Sequence, residues 1–201
     1  MIVGGAGGHA MEVLDILIAN EMDDNLFFYD DINPVQVFQE KYSVFNNLDQ
    51  VKAHFQKDKR FVLGTGNPAH RKKLHDLFSS LGGDHIAVVS ESSICSKYAL
   101  FEMVDVLNLT FIGPNSKIGM GSLVNTGTQI HHEVQIGDFC EVNPGAVILG
   151  KVIIGNFTSI GANATILPKI KIGSNVIVGA GCVVTKDVPD GVIVKGVPGK
   201  Y

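Results

Sequence analysis

Two neighbouring histidines and an acid, His131-His132-Glu133, are the residues of this chain best suited to moving a proton. Imidazole takes up and releases a proton near neutrality, and an adjoining carboxylate can orient it and support its cationic form. A histidine in a β-rich segment is most often structural; an unobstructed backbone N–H beside it would give it the two groups acyl transfer needs, a base and an oxyanion donor. Near the start, Gly5-x-Gly7-x-x-Ala10 lies between the apolar Ile2-Val3 and an amphipathic run. Its glycines leave room for a phosphate at a helix N-terminus, although the same spacing also serves a tight β–α turn. Asp30-Asp31 and Gly66-Asn67 each follow a further short apolar run. An acidic pair in that place either contacts a ribose or base or simply makes a turn. The convergence of all three features on one sheet edge favours a nucleotide.

What positions His132 is a repeat. Every sixth residue from Ile94 to Val184 is Ile, Leu or Val, sixteen in succession. With those types at roughly a quarter of positions, chance agreement is on the order of one in a billion. The next residue is often glycine (Gly113, Gly119, Gly137, Gly155, Gly161, Gly173, Gly179), and the residue four places on is small or β-branched from Thr110 onward, with only Ile170 larger. A period of six fits neither helix nor simple strand. It fits a parallel β-solenoid with three flat faces, about 18 residues per coil, and the large aliphatic residue inside. Coils then stack at the inter-strand spacing, so residue n lies under residue n+18. His132 falls beside Gly150, which puts an imidazole against a side-chain-free amide, and Asn125 falls beside Asn143. By this arithmetic the polar groups gather near one corner. Before residue 106 the pattern is rougher, with Tyr98 and Phe101, and predicts a capping coil.

Residues 1–90 alternate differently. Strands are expected at Ile2-Val3, Leu26–Tyr29, Phe61–Leu63 and His85–Val89. The first helix has Ala10, Val13, Leu14, Leu17 and Ile18 on one side, and the second starts at Pro68 behind an Asn67 cap. Arg71, Lys72 and Lys73 read as its solvated face. The alternation predicts a small parallel sheet with helices on its faces. The loop from Ile32 to Ser43 carries no motif and is expected to shape an acceptor pocket. The first strand is short for a central one, which leaves open whether residues precede it.

With 45% apolar and 18% charged residues the chain is a folded protein, and its net charge of −4 offers nothing to nucleic acid or an anionic membrane. No apolar run reaches 18 residues and no basic-then-apolar leader is present, so a cytoplasmic location without membrane insertion is expected. The three cysteines, Cys95, Cys140 and Cys182, lack metal-type spacing and suit a reducing compartment. A zinc site built on three histidines is excluded by only two in the coils, and an ice-binding face by a single Thr-x-Thr, Thr126-Gly127-Thr128.

The hexads, the stretch from Ile130 to Gly137 and the ending Gly196-Val197-Pro198-Gly199-Lys200 resemble left-handed β-helix acyltransferases. With Gly4-Gly5-Ala6-Gly7-Gly8-His9, Tyr29-Asp30-Asp31 and Gly64-Thr65-Gly66-Asn67, the whole chain resembles the sialic acid O-acetyltransferase-like sugar acetyltransferases, which include nucleotide-sugar 4-amino N-acetyltransferases. The resemblance implies a Rossmann-like α/β domain over residues 1–90, binding a nucleotide sugar, and a left-handed parallel β-helix over residues 91–201. It implies a homotrimer with sites between neighbouring β-helices, acetyl-CoA as donor, no metal, and a place in bacterial surface polysaccharide biosynthesis. By motif position His132 is the general base and Glu133 its orienting acid, and Asn125 lies near the acceptor. Gly150 meets the thioester carbonyl, while Ala162 and Ala180 meet the pantetheine arm. The nucleotide contacts fall on Gly7, Gly8, His9, Asp30, Asp31 and Asn67. One departure is Glu141, near the thioester, where some relatives have a second histidine. A carboxylate donates a hydrogen bond only when protonated, which weakens the case for an amine acceptor. The rival reading is a sugar-nucleotide-binding scaffold without catalysis.

Overall fold

The computed structural model describes residues 1–33 and 35–201, in two compact units: Met1–Gly66 with His70–Val88, and Asn67–Ala69 with Val89–Tyr201.

The first unit is built on a sheet of six strands. These are β1 (Ile2–Gly4), β2 (Phe27–Tyr29), β3 (Val37–Phe38), β4 (Tyr42–Phe45), β5 (Arg60–Leu63) and β6 (Asp84–His85), in the order β3-β4-β2-β1-β5-β6. All pairings are parallel except β3 with β4. Helices α1 (Gly8–Ala19), α2 (Leu48–Phe55) and α3 (Pro68–Ser80) complete it. β1 is short but lies in the middle of the sheet and is wholly buried, which is why three residues suffice. One aromatic cluster, Tyr29, Phe55, Phe61 and Phe78, fills the core on one side of the sheet.

Several expectations are corrected here. The loop after Asp31 contains the β3–β4 hairpin, and α2 follows it, capped by Asn47, whose side chain accepts from the Gln50 N–H. Pro34 in that loop lies outside the described residues. Strand β6 ends at His85 and does not run on to Val89. On α1 the buried side takes Ile16, whereas Ile18 is 47% exposed. Arg71 is not solvated but fully buried: its guanidinium donates to the carbonyls of Leu63 and Thr65 where β5 ends. A buried guanidinium needs acceptors, and these two carbonyls supply them. No described helix is long and apolar enough to cross a membrane.

The second unit is a parallel β-helix of two-residue strands in three stacks. Face one holds Phe111–Ile112, Gln129–Ile130, Val147–Ile148 and Thr165–Ile166; face two holds Lys117–Ile118, Gln135–Ile136 and Ile153–Ile154; face three holds Leu123–Val124, Glu141–Val142 and Ser159–Ile160. The second residue of each pair points inward. From Val106 to Val184 this inner column is at most 5% exposed, each side chain contributing roughly 1.5–3 kcal/mol of burial. Corner hydroxyls are buried too: Thr110, Ser116, Ser122, Thr128 and Thr158 are at most 1% exposed, and Ser116 Oγ donates to the His131 carbonyl at 2.7 Å. A small side chain recurs at this position because it fits the corner and satisfies a turn carbonyl there.

The repeat begins later than the hydrophobic series. Ile94 pairs with Phe111 and Leu100 with Lys117, one residue short of the regular register. As a result Ile94 and Leu100 face outward, 69% and 62% exposed, and Cys95 and Phe101 face the core instead. At the other end Val178 pairs with Val194, so the last coil is shortened as well.

Candidate active site

His132 sits at the corner where face one turns into face two. Its Nδ1 lies 2.9 Å from Glu133 Oε2. A carboxylate is an acceptor only, so this contact places the imidazole proton on Nδ1 and leaves Nε2 as the basic nitrogen. Nε2 has no hydrogen-bond partner among the described residues. The hydrogen bond from His132, reinforced by Lys151, holds the Glu133 carboxyl below its usual range. Lys151 Nζ stands 3.5 Å from Glu133 Oε1. His131, by contrast, stacks edge-on with Phe111 and has a packing role.

The coil register brings Gly150 directly over His132. A Cβ built on Gly150 would lie 2.5 Å from both Cε1 and Nε2 of the ring, so only glycine leaves the imidazole where it is. Gly113 one coil below is equally constrained, since a Cβ there would lie 2.8 Å from the His131 carbonyl carbon.

The corner amides follow a simple rule. At each corner the residue with positive φ donates its N–H to the coil below, as Lys151 does to the His132 carbonyl at 3.0 Å and Asn163 to the Pro144 carbonyl at 2.9 Å. The N–H of the residue before it reaches no backbone acceptor; where it is bonded it meets a side chain, as the Thr126 N–H meets Asn125 Oδ1 and the Asp138 N–H meets Asn156 Oδ1. Prolines accordingly occupy this place at Pro114, Pro144 and Pro168, the arrangement of a type II turn. Gly150, Ala162 and Ala180 hold the same place, and their N–H groups have no acceptor among the described residues.

The expected site does not gather at a single corner. Asn125, Ala162 and Ala180 lie where face three turns into face one, and His132 and Gly150 lie at the opposite edge of face one. The error comes from treating stacking as proximity: residues share a corner only when they differ by whole coils. Asn125 is 7% exposed, and its Oδ1 accepts from the Thr126 N–H at 2.7 Å. Asn143 above it donates to the Ile160 carbonyl at 3.1 Å. Glu141 projects from face three, where its Oε2 accepts from Ser159 Oγ at 2.8 Å.

The first unit holds a cavity of about 280 Å³ at the C-terminal ends of β1, β2 and β5, lined by Gly5, Gly7, Gly8, His9, Asp30 and Asp31 among others. This is the crevice where a doubly wound sheet reverses its strand order. Gly5 has φ +118°, and a Cβ there would lie 2.9 Å from the Gly64 carbonyl oxygen. Gly7 and Gly8 open onto empty space at the start of α1, as an approaching anion would need. Asp30 is engaged by its own loop, accepting from the N–H groups of Ile32 at 2.9 Å and Asn33 at 2.8 Å. Burial pushes its carboxyl up, but the bonds from Asn33, Ile32 and Ala6 outweigh that and hold it below the ordinary range. Asp31 lines the cavity, and burial together with its charge raises the Tyr29 phenol. Asn67 is not among the lining residues; its Oδ1 accepts from the Ala69 N–H at 3.0 Å and caps α3. Two cavity residues that sequence reasoning missed are His70 and Lys73, one and two turns into α3. Their spacing of three on a helix that starts at the crevice was the available signal.

Residues 1–78 match the family model described as PglD N-terminal domain, and residues 151–186 match the bacterial transferase hexapeptide (six repeats). Among curated proteins none matches the sequence. Among solved structures, PerB from Caulobacter crescentus, in complex with CoA and GDP-perosamine, is 28% identical, covering 99% of this chain and 95% of that one with a TM-score of 0.91. The acetyltransferase domain of PglB from Neisseria gonorrhoeae, in complex with acetyl coenzyme A, is 26% identical over 99% and 97% of the two chains, with a TM-score of 0.92. WeeI from Acinetobacter baumannii is 25% identical over 99% and 97%, with a TM-score of 0.71. The shared fold is an α/β unit followed by a left-handed parallel β-helix.

Proposed function

We propose that this chain, in which a match to the PglD N-terminal domain precedes a match to hexapeptide repeats, transfers an acetyl group from acetyl-CoA to the amino group of a nucleotide-linked sugar. The observation that carries this is the His132 ring, oriented by Glu133 and packed against Gly150, whose N–H has no acceptor among the described residues. In the reaction the acceptor nitrogen attacks the thioester carbonyl while His132 Nε2 takes its proton. The C–N bond forms, the carbonyl oxygen gains negative charge, and the Gly150 N–H is placed to receive it. Collapse breaks the C–S bond, and the proton on His132 passes to the departing thiolate. No covalent enzyme intermediate is needed.

An amine is favoured over a hydroxyl by the similar proteins whose names specify N-acetyl transfer to perosamine. Glu141 does not oppose this, because its carboxylate is tied to Ser159 as an acceptor. The nucleotide is assigned to the crevice of residues 1–90, with Gly7, Gly8, His9, Asp31, His70 and Lys73 as its contacts. Asp30 serves by shaping the loop. The pantetheine arm is assigned to the free amides of Ala162 and Ala180.

A homotrimer belongs to this reading, and the separation of the two corners supports it. His132 and Gly150 stand at one edge of face one, and Asn125, Ala162 and Ala180 at the other. A neighbouring copy can place its second corner against the first corner of this one, and a closed ring of three does so at every site.

The test is acetyl transfer from acetyl-CoA to a panel of GDP-, UDP- and dTDP-linked 4-amino sugars. Replacing His132 with Ala should lower kcat by about 10²–10⁴-fold on the accepted sugar. Activity near that of the unmodified protein would sink the mechanism.

A further inference from the structure

Glu133 has a second partner, one coil away. Residues 133 and 151 differ by one coil, and both have positive φ, +59° and +65°. Their side chains therefore leave the corner in parallel. The Lys151 N–H donates to the His132 carbonyl at 3.0 Å, so the same residue is fixed to the histidine through its backbone. The two carboxylate oxygens are shared out: Oε2 to His132 Nδ1 at 2.9 Å, Oε1 toward Lys151 Nζ at 3.5 Å. We propose that Lys151 is a positioning residue, which holds Glu133 so that its other oxygen stays on His132. The inference rests on the reading of His132 as the base.

As a source of stability this contact is negligible, since both groups are about half exposed and such pairs contribute little in water. Its effect belongs to the occupied site, where bound substrates displace water and the same charges interact more strongly. A carboxylate with one free oxygen can swing away from the imidazole. One with both oxygens engaged cannot, and the Nδ1 proton stays in line. The ammonium also balances the Glu133 charge while His132 is neutral, before the acceptor proton arrives.

Three variants test the proposal on the accepted amino sugar. Lys151→Met should lower kcat three- to tenfold, with KM for acetyl-CoA and for the sugar within twofold of the original. Lys151→Arg should recover most of the rate. In a Glu133→Gln background, where the anionic partner is gone, Lys151→Met should change kcat less than twofold, because the two residues act as one unit. An equal loss in both backgrounds would overturn the proposal. So would a raised KM for acetyl-CoA with kcat intact, which would make Lys151 a contact to the coenzyme phosphates. His132→Ala separates the two levels of argument. If it stays active, the base assignment falls and this proposal with it; if it is inactive while Lys151→Met is silent, only this proposal falls.

Discussion

His132 lies against the Cα of Gly150, one coil above it, so closely that a methyl group there would stand 2.5 Å from the ring nitrogen Nε2. The contact is with a half-exposed side chain and not with backbone, so the ring can yield without unfolding anything. Gly150→Ala is therefore expected to keep its unfolding temperature within about two degrees. It should lose on the order of 10²-fold in kcat, the usual effect of misplacing a catalytic group by about 1 Å. Steady-state kinetics beside a thermal melt check both halves.

Ala162→Pro removes one outward N–H at a place where the neighbouring coils already tolerate Pro144. The fold should be unaffected. Acetyl-CoA binding should weaken about fivefold, the effect of one hydrogen bond of roughly 1 kcal/mol. Calorimetry with acetyl-CoA reads this directly, and a variant that binds as tightly as the original would remove the Ala162 amide from the site. No heat from the unmodified protein would favour a scaffold over an enzyme.

Lys73→Ala and Asp31→Ala both alter the crevice wall. Each should weaken binding of the preferred nucleotide sugar roughly three- to tenfold and leave acetyl-CoA binding unchanged. A thermal-shift panel of sugar nucleotides, run with and without CoA, would show the effect and identify the preferred base.

Asp30 links the crevice loop to pH. Its carboxyl is held below the ordinary value in the folded chain, because the bonds from Asn33 and Ile32 more than offset burial. A depressed folded value means that Asp30 stabilises the protein fully above the ordinary carboxylate range, near pH 4. That stability is lost as the pH falls from there through the depressed folded value. Asp30→Ala should cost about 1–2 kcal/mol at pH 7 and make unfolding less acid-sensitive in that window. Denaturant melts from pH 7 to pH 3 are the measurement; parallel pH curves for the two proteins would refute the assignment.

Much of the site was legible because the β-helix obeys an arithmetic rule. A strict period of six in apolar residues can be satisfied only by coils that stack in register, and register alone brings Gly150 to His132. The same rule would have found Lys151 over Glu133, had charged as well as apolar residues been followed from coil to coil. It failed at the ends. Ile94 and Leu100 continue the apolar series, yet the first coil is one residue shorter, and a one-residue slip turns a strand residue from inside to outside. In the first unit Arg71 was misread because a basic residue beside two lysines resembles a solvated face. Its burial goes with the hydrogen bonds it donates to the carbonyls of Leu63 and Thr65, which no spacing along the chain announces.

By itself the sequence determined the repeat, the coil-to-coil contacts that follow from it, and the glycine turns of the crevice, since these are local or periodic constraints. Which corner each residue occupies, how Asp30 is consumed by its own loop, and that His70 and Lys73 line the crevice were decided by the tertiary structure. Those relations depend on how separate elements close in space, and no spacing along one chain encodes them. The distance between the His132 corner and the Ala162 corner belongs to the same class: it is a property of the folded β-helix.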